Sequence, residues 1–464
     1  MLAPSFNMSL FSIDLDSGAT GDEARIINGP LIAPSSIGAR TIRKVRTRIL
    51  PFLFLLYIIC FLDRINIGFA ALTMNQELAI TSQQFGFIAG IFFFGYCLFE
   101  VPSNLLLHKI GARVWIARIL ITWGTIAVLT GFVSTAHQLY VARFLLGVAE
   151  AGYFPGIVLY LTYWFPQREQ AHSIALFMAA IPVASILGSP VSGLILDRVH
   201  WFQVSSWRWL LILQGAPAVF GGILTYFLLP GRPAEAKFLI DTEKNWIARE
   251  LERERQRTGD LSALQALHNG RVWHLAVIGF THAIATYSIS FWLPQLMKSL
   301  LSAQSNTVIG FLLMLPYLAA LIAMVLVSRH SDQTLERRYH VAICAGIAGM
   351  GLILLGSVHS ISVSIAILSI VTMGNFSSIA VFYSLPGEFL SGFSAASGIA
   401  LITSIANLGG FAGPYAVGFI RQRTGDLYAG LALAGVSLCV CATLTLLLPR
   451  RADTVGAAVK GASC

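Results

Sequence analysis

About twelve runs of roughly 20 mostly apolar residues follow one another between Ile49 and Leu448, each long enough to cross the hydrocarbon core of a bilayer as a helix. Little chain is left for anything else. Of 464 residues 56% are hydrophobic and 11% charged, and that charged fraction is less than half that of an ordinary soluble domain. The fold class that follows is an all-α polytopic membrane protein. The runs fall at 49–71, 84–107, 113–134, 138–163, 171–195 and 208–229, then at 272–296, 307–328, 340–357, 361–384, 393–419 and 427–448. The one long polar stretch, 230–271, carries Arg232, Glu250, Arg253, Arg255, Arg257 and Arg271, and it divides the chain into two six-helix halves. Its charges read as a solvated amphipathic segment and not as a binding site. The expected organisation is an N-terminal tail (1–48), a first bundle (49–229), a central loop (230–271), a second bundle (272–448) and a C-terminal tail (449–464).

Basic residues set the orientation. Arg40, Arg43, Lys44, Arg46 and Arg48 precede the first run, and Lys109, Arg113, Arg168, the central loop, Arg337, Arg338, Arg450 and Arg451 fall on the same side. The other side holds mainly Arg198, Arg208, Lys298, Arg421 and Arg423. Short cytoplasmic loops carry the excess of Lys and Arg, so both tails and the central loop are expected in the cytoplasm of a cell whose inner membrane holds the protein. The same bias explains the net charge of +9 without nucleic acid, because no basic face with interleaved aromatics is present. Residues 1–40 lack the basic start and apolar core of a signal peptide and read as a disordered tail. The six cysteines show neither a disulfide framework nor a metal spacing.

Charge inside the runs is nearly confined to the first half, at Asp63, Arg64, Glu100, Arg118, Arg143 and Glu150. An Asp or Arg at the centre of a membrane helix costs about 2.5–3.5 kcal/mol on insertion scales, so such groups need partners or a wet cavity and point to function, the alternative being a structural ion pair that locks two helices. Adjacent helix residues point about 100° apart, so Asp63 and Arg64 are expected to serve different neighbours. Arg143 and Glu150 share one stripe of the fourth helix, about 10 Å apart along its axis. Glu150 lies roughly 18 Å deep, where burial disfavours the charged carboxylate and permits proton binding near neutral pH, with Arg143 pulling the other way. Arg64 offers a planar fork that can grip a carboxylate with two hydrogen bonds and keeps its charge at any physiological pH. Glu100 and Arg118, near helix ends, read as structural.

The runs of the second half instead place His274, His282, Tyr287, Ser288, Trp292, Asn375, Tyr383, Ser384 and Asn407 among apolar residues. The histidines read as satisfied packing groups. A division of labour is expected, in which the first half handles protons and the anion's charge while the second reads shape and hydroxyls. The halves also echo each other: Gly188, Pro190 and Gly193 in the fifth run are matched by Gly413, Pro414 and Gly418 in the eleventh. Small residues let membrane helices approach closely, so packing is their expected role. The loop HKIGAR (His108 to Arg113) likewise has a counterpart in SRHSDQTLERR (Ser328 to Arg338).

Twelve spans in two halves with those two loops resemble the major facilitator superfamily over roughly residues 45 to 450. That family's loop signature runs Gly, small or apolar residues, Asp, Arg, Gly and basic residues. Here Asn104 and His108 replace its Gly and Asp in the first copy, and the second keeps Asp332 but has Ser328 and Gln333. Four strings narrow the match: FLDRINIGFA (Phe61 to Ala70), EVPSNLLLHKIGAR (Glu100 to Arg113), RFLLGVAEAGYFPG (Arg143 to Gly156) and FLSGFSAASGIALITSIANLGGFAGP (Phe389 to Pro414). In this order they resemble the anion:cation symporter family, and bacterial tartrate and sugar-acid carriers most. The resemblance implies proton-coupled uptake of an organic carboxylate by alternating access. It implies that Asp63 and Glu150 carry the proton and that Arg64 meets the substrate carboxylate, while Arg143 joins the proton-coupling set on its place beside Glu150.

Asn66, Tyr96, Tyr383, Ser384 and Asn407 complete the expected substrate site, partly on the family's pattern. The proton is expected to be the coupling ion, with no other cofactor and no metal expected, and the partners expected are a small organic anion and the bilayer, with no obligate protein partner. An exchange or uncoupled carrier is the alternative within transport. A membrane enzyme would need a clustered set such as HExxH or GxSxG, which is missing, and a transporter-like sensor has no appended signalling domain to support it.

Overall fold

The computed structural model describes residues 37–257, 269–358, 360–386 and 392–448. The helices of the first half are α1 (Ile37–Glu77), α2 (Ser82–Ile110), α3 (Ala112–Thr130), α4 (Ala136–Glu150), α5 (Tyr153–Thr162), α6 (Gln167–Met178), α7 (Ala180–Arg198) and α8 (Ser206–Leu228). After α9 (Asp241–Arg257) come α10 (Gly270–Leu300), α11 (Asn306–Thr334), α12 (Arg338–Leu354), α13 (Ile361–Phe382), α14 (Gly392–Thr424) and α15 (Leu427–Leu446). Among the described residues eleven spans are long and apolar enough to cross a membrane, α4 with α5 and most of α6 with α7 each counting as one. The 33-residue α14, which is not one of the eleven, packs lengthwise between α2 and α10.

Three features go beyond the expected runs. Helix α1 starts at Ile37, inside the expected tail, because Gly38, Thr41, Ile42, Val45 and Ile49 form a buried stripe that packs on α6 and α9. Its 41 residues extend about 60 Å, twice the thickness of a bilayer core, so Arg40 to Arg48 stand on a helix beyond the apolar run. The fourth run breaks after Glu150, where Gly152 adopts φ 84. A Cβ on Gly152 would lie 2.5 Å from Ser103 Oγ, so this corner requires glycine both for its backbone angle and for its space. The central loop contains α9, whose Glu243 is buried against α1. The C-terminal tail, the first 36 residues and 258–268 lie outside the described residues.

Helices before and after the loop pack chiefly among themselves, and the two groups meet where α2 faces α14, α7 faces α11 and α1 faces α10. Glycines make these crossings. A Cβ on Gly193 of α7 would lie 2.3 Å from Asn306 O, and one on Gly310 of α11 would lie 2.3 Å from Ser189 O. The same reciprocity holds between α2 and α14, with Gly86 against Pro414 O and Gly418 against Ser82 O, both at 2.4 Å. Gly188 meets the Leu62 side chain of α1, as Gly413 meets Ile284 O of α10. The packing role expected of both glycine sets is what the structure displays, once in each half.

Several cross-half hydrogen bonds share one location. Asp197 at the end of α7 accepts from Asn306 N (3.3 Å), Asn306 Nδ2 (2.9 Å) and Thr307 N (2.7 Å) at the start of α11. Ser82 N donates to Gln422 Oε1 at 3.2 Å, and Gln83 Nε2 to Tyr415 Oη at 3.1 Å. All lie at the end of the molecule opposite Arg40 to Arg48, hereafter the sealed end.

Candidate functional site: a charged cluster at mid-membrane

Arg64 lies with about 20 Å of α1 between it and either Ile49 or Glu77. Its Nη2 donates to Oε1 of Glu150, the last residue of α4, and both side chains are buried. Cys60 Sγ lies 3.3 Å from the same carboxylate oxygen. The guanidinium carbon stands 5.3 Å from the Phe92 ring, 5.7 Å from Tyr96 and 6.0 Å from Phe61. Tyr287 of α10 reaches Arg64 from the second half through a side-chain hydrogen bond, and its ring lies 4.2 Å from Phe93. Removing one member of a buried ion pair of this kind costs about 3–5 kcal/mol, because the other charge is left unmatched.

Asp63 serves other partners, as the 100° offset requires. Its Oδ2 accepts from Trp123 Nε1 at 2.6 Å and its Oδ1 from Asn66 Nδ2 at 3.1 Å. Asn66 is thereby engaged with Asp63, one turn away on the same helix. Arg143 is fully buried, acts on Asp63 through its charge and lies 5.2 Å from the Phe92 ring. Its Nε and Nη2 have no hydrogen-bond partner among the described residues. Asp63, Arg64, Arg143 and Glu150 thus form one cluster of two positive and two negative groups, with both guanidiniums near Phe92.

The expected second-half contacts divide. Tyr383, just past α13, interacts electrostatically with Arg64, Glu100 and Tyr287, so it belongs to the cluster. Ser384 commits its hydroxyl to Val381 O at 2.6 Å, and nothing places it against the charged groups. Asn407 of α14 hydrogen-bonds Glu100 of α2. Glu100 is 5% exposed and also accepts from Ser404 Oγ at 2.8 Å. The sequence reading missed Glu100 and Tyr287 as neighbours of the site. Glu100 continues the four-residue spacing of Phe92 and Tyr96, and that stripe was the available signal.

His282 bonds Ser378 Oγ at 2.8 Å and His274 bonds Leu444 O at 2.9 Å, as expected of packing histidines. In the second loop Arg337 pairs with Asp332. Among the described residues no group of three or more His, Cys, Asp or Glu side chains could hold a metal ion.

A buried charged cluster between two facing helix bundles is how a carrier is built, and comparison with known proteins decides the family. The Major Facilitator Superfamily model matches residues 53–414. The chain belongs to the major facilitator superfamily. A protein of Agrobacterium vitis named "Putative tartrate transporter" is 45% identical over 421 residues, covering 90% of this chain and 93% of that protein. A "Quinolone resistance transporter" of Acinetobacter baumannii is 37% identical over 410 residues, covering 88% and 94%. The xylose transporter XylE of E. coli, solved in a partially occluded inward open conformation, shares the fold with a TM-score of 0.71 at 13% identity, over 87% of this chain and all of that one. This superfamily member is a multi-pass membrane transporter and not an enzyme, and its relatives agree with the anion:cation symporter resemblance.

Proposed function

We propose that the protein carries an organic carboxylate, tartrate or a related sugar acid, into the cell together with protons by alternating access. The observation that carries this reading is the buried Arg64–Glu150 pair facing Tyr287 across the seam. Arg64 can hold one carboxylate firmly, and in the empty carrier that carboxylate is Glu150. A proton on Glu150 removes its charge and frees the guanidinium for the substrate, so proton and anion load together. Asp63, held by Trp123 and Asn66 and facing the charge of Arg143, is the second proton-binding group. Tyr96, Tyr287, Tyr383 and Asn407 supply polar-tipped walls suited to a hydroxylated acid. The similarity to the Agrobacterium vitis protein supports tartrate as the first substrate to try. With the basic end in the inner-membrane cytoplasm, as its Lys and Arg favour, the sealed end faces outward and this conformation is inward-facing.

The test is Glu150→Gln in proteoliposomes. Exchange of labelled for unlabelled tartrate needs no net proton movement, so the variant keeps exchange and loses accumulation driven by an inward proton gradient. Accumulation at the wild-type level removes Glu150 from coupling. Loss of exchange by a folded variant assigns it to binding or to the conformational change. Galactonate, glucarate, phthalate, hydroxyphenylacetate and a quinolone in the same assay fix the substrate class.

A further inference from the structure

Glu100 is the buried carboxylate that the cycle above leaves unused. Its hydrogen-bond partners, Ser404 and Asn407, are neutral and belong to the opposite half. Arg64 of α1 acts on it from a distance, with no ion pair formed, while Tyr96 and Cys97 of its own helix and Tyr383 beyond α13 also sense its charge. From α4, which packs on the same helix, Arg143 and Glu150 face the Arg64 cluster instead.

Its place along the seam matters as much. From the sealed end inward, α2 meets α14 at Ser82 with Gln422, Gly86 with Pro414, Gly90 with Phe411, Gly410 with Phe93 and Cys97 Sγ with Ser404 O at 3.6 Å. The series continues to Glu100, ten residues short of the end of α2. A seam of glycine, aromatic and backbone contacts therefore leads to a carboxylate that forms no ion pair among the described residues. Such a group is tolerated at this depth as the neutral acid, or as an anion once water reaches it.

We propose that Glu100 is a further proton-binding group whose proton latches α2 to α14, and whose ionisation draws water into the seam and releases the latch. The neutral acid keeps both oxygens in the contact with Ser404 and Asn407. This rests on the carrier reading above and adds a titrating group on the moving seam, apart from the substrate's own counter-charge.

Hydrogen–deuterium exchange of the purified full-length protein, read by mass spectrometry at about pH 6 and about pH 8 after correction for chemical exchange, tests it on residues 98–107 and 401–408. In the wild type these amides should exchange at least about fivefold more slowly at the lower pH. Glu100→Gln should be slow at both, Glu100→Asp should retain the dependence, and Ser404→Ala should speed exchange while keeping it. A wild type without the dependence, or Glu100→Gln with it undiminished, overturns the latch. The measurement needs neither substrate nor gradient, so it stands or falls separately from the coupling role of Glu150.

Discussion

At the sealed end the two halves touch backbone to backbone, whereas the ion pairs of the basic end join the first half to the central loop or lie within one half. The sealed contacts use the four glycines Gly86, Gly193, Gly310 and Gly418, with Asp197 receiving the first amides of α11. At the basic end Lys44 and Arg40 of α1 pair with Glu243 of the central loop, while Arg46 with Glu169 and Arg337 with Asp332 each pair within one half. Close glycine packing holds two bodies together through many weak dispersion contacts that can part and re-form. Ion pairs inside a half stiffen that half and leave it free to move as a unit. The difference teaches where this conformation keeps its free energy: between the halves at one end, and within them at the other.

The largest effect should come from Gly310→Val. The new Cβ falls 2.3 Å from Ser189 O and 3.1 Å from Pro190 Cα, both backbone atoms that cannot swing aside. Overpacking of this sort costs about 2 kcal/mol, a roughly 30-fold shift away from the sealed arrangement. Tartrate uptake should fall more than about tenfold, and amides 306–312 should lose exchange protection by a similar factor. Wild-type uptake and protection together would mean that the glycine contacts do not hold the seal.

Asp197→Ala should act in the same direction but less strongly. It removes the acceptor of three hydrogen bonds and a negative charge from the positive end of α11, worth about 1–2 kcal/mol in capping terms. Protection of amides 306–308 should drop about fivefold or more, while melting of the detergent-solubilised protein moves little, because each half keeps its own packing. A large fall in melting temperature would show that the halves depend on each other for folding, and the comparison would lose its basis.

The apolar runs were legible because a bilayer demands length and hydrophobicity, and those are written residue by residue. The divergent partners of Asp63 and Arg64 were legible from helix geometry alone. That Arg64 meets Glu150 was not, since the two lie on helices separated by more than 80 positions of chain. The start of α1 was hidden because Arg40, Arg43, Lys44, Arg46 and Arg48 mask the buried stripe between them. Glu100 reads as a helix-end group because the apolar run stops at Leu107, and sequence does not show that Ser404 of the other half donates to it. Ser384 looked available because sequence shows a hydroxyl and not the Val381 carbonyl that takes it.

The smallest effect tests the basic end through Glu243→Gln. Glu243 stands in the first turn of α9, where Ile240 N–H donates to its Oε2 at 3.1 Å and Lys44 Nζ at 2.9 Å, with Arg40 Nε 4.0 Å from Oε1. Burial pushes its carboxyl up, but the Lys44 hydrogen bond, the Ile240 amide and the charges of Lys44 and Arg40 outweigh that and hold it below the ordinary carboxylate value. A carboxyl lowered on folding stabilises the docked state fully above its unfolded value, about 4.3, and that contribution fades as pH falls through the lower folded value. The substitution removes a charge but leaves an amide that can still accept from Ile240, so about 1 kcal/mol should be lost near neutral pH. Exchange protection of α9 amides should therefore fall about fivefold at pH 7, with the gap between variant and wild type narrowing once the pH is well below 4. Amides 306–312 at the sealed end should not change. If they do, the basic-end ion pairs reach across the seam after all, and the two ends are one coupled structure.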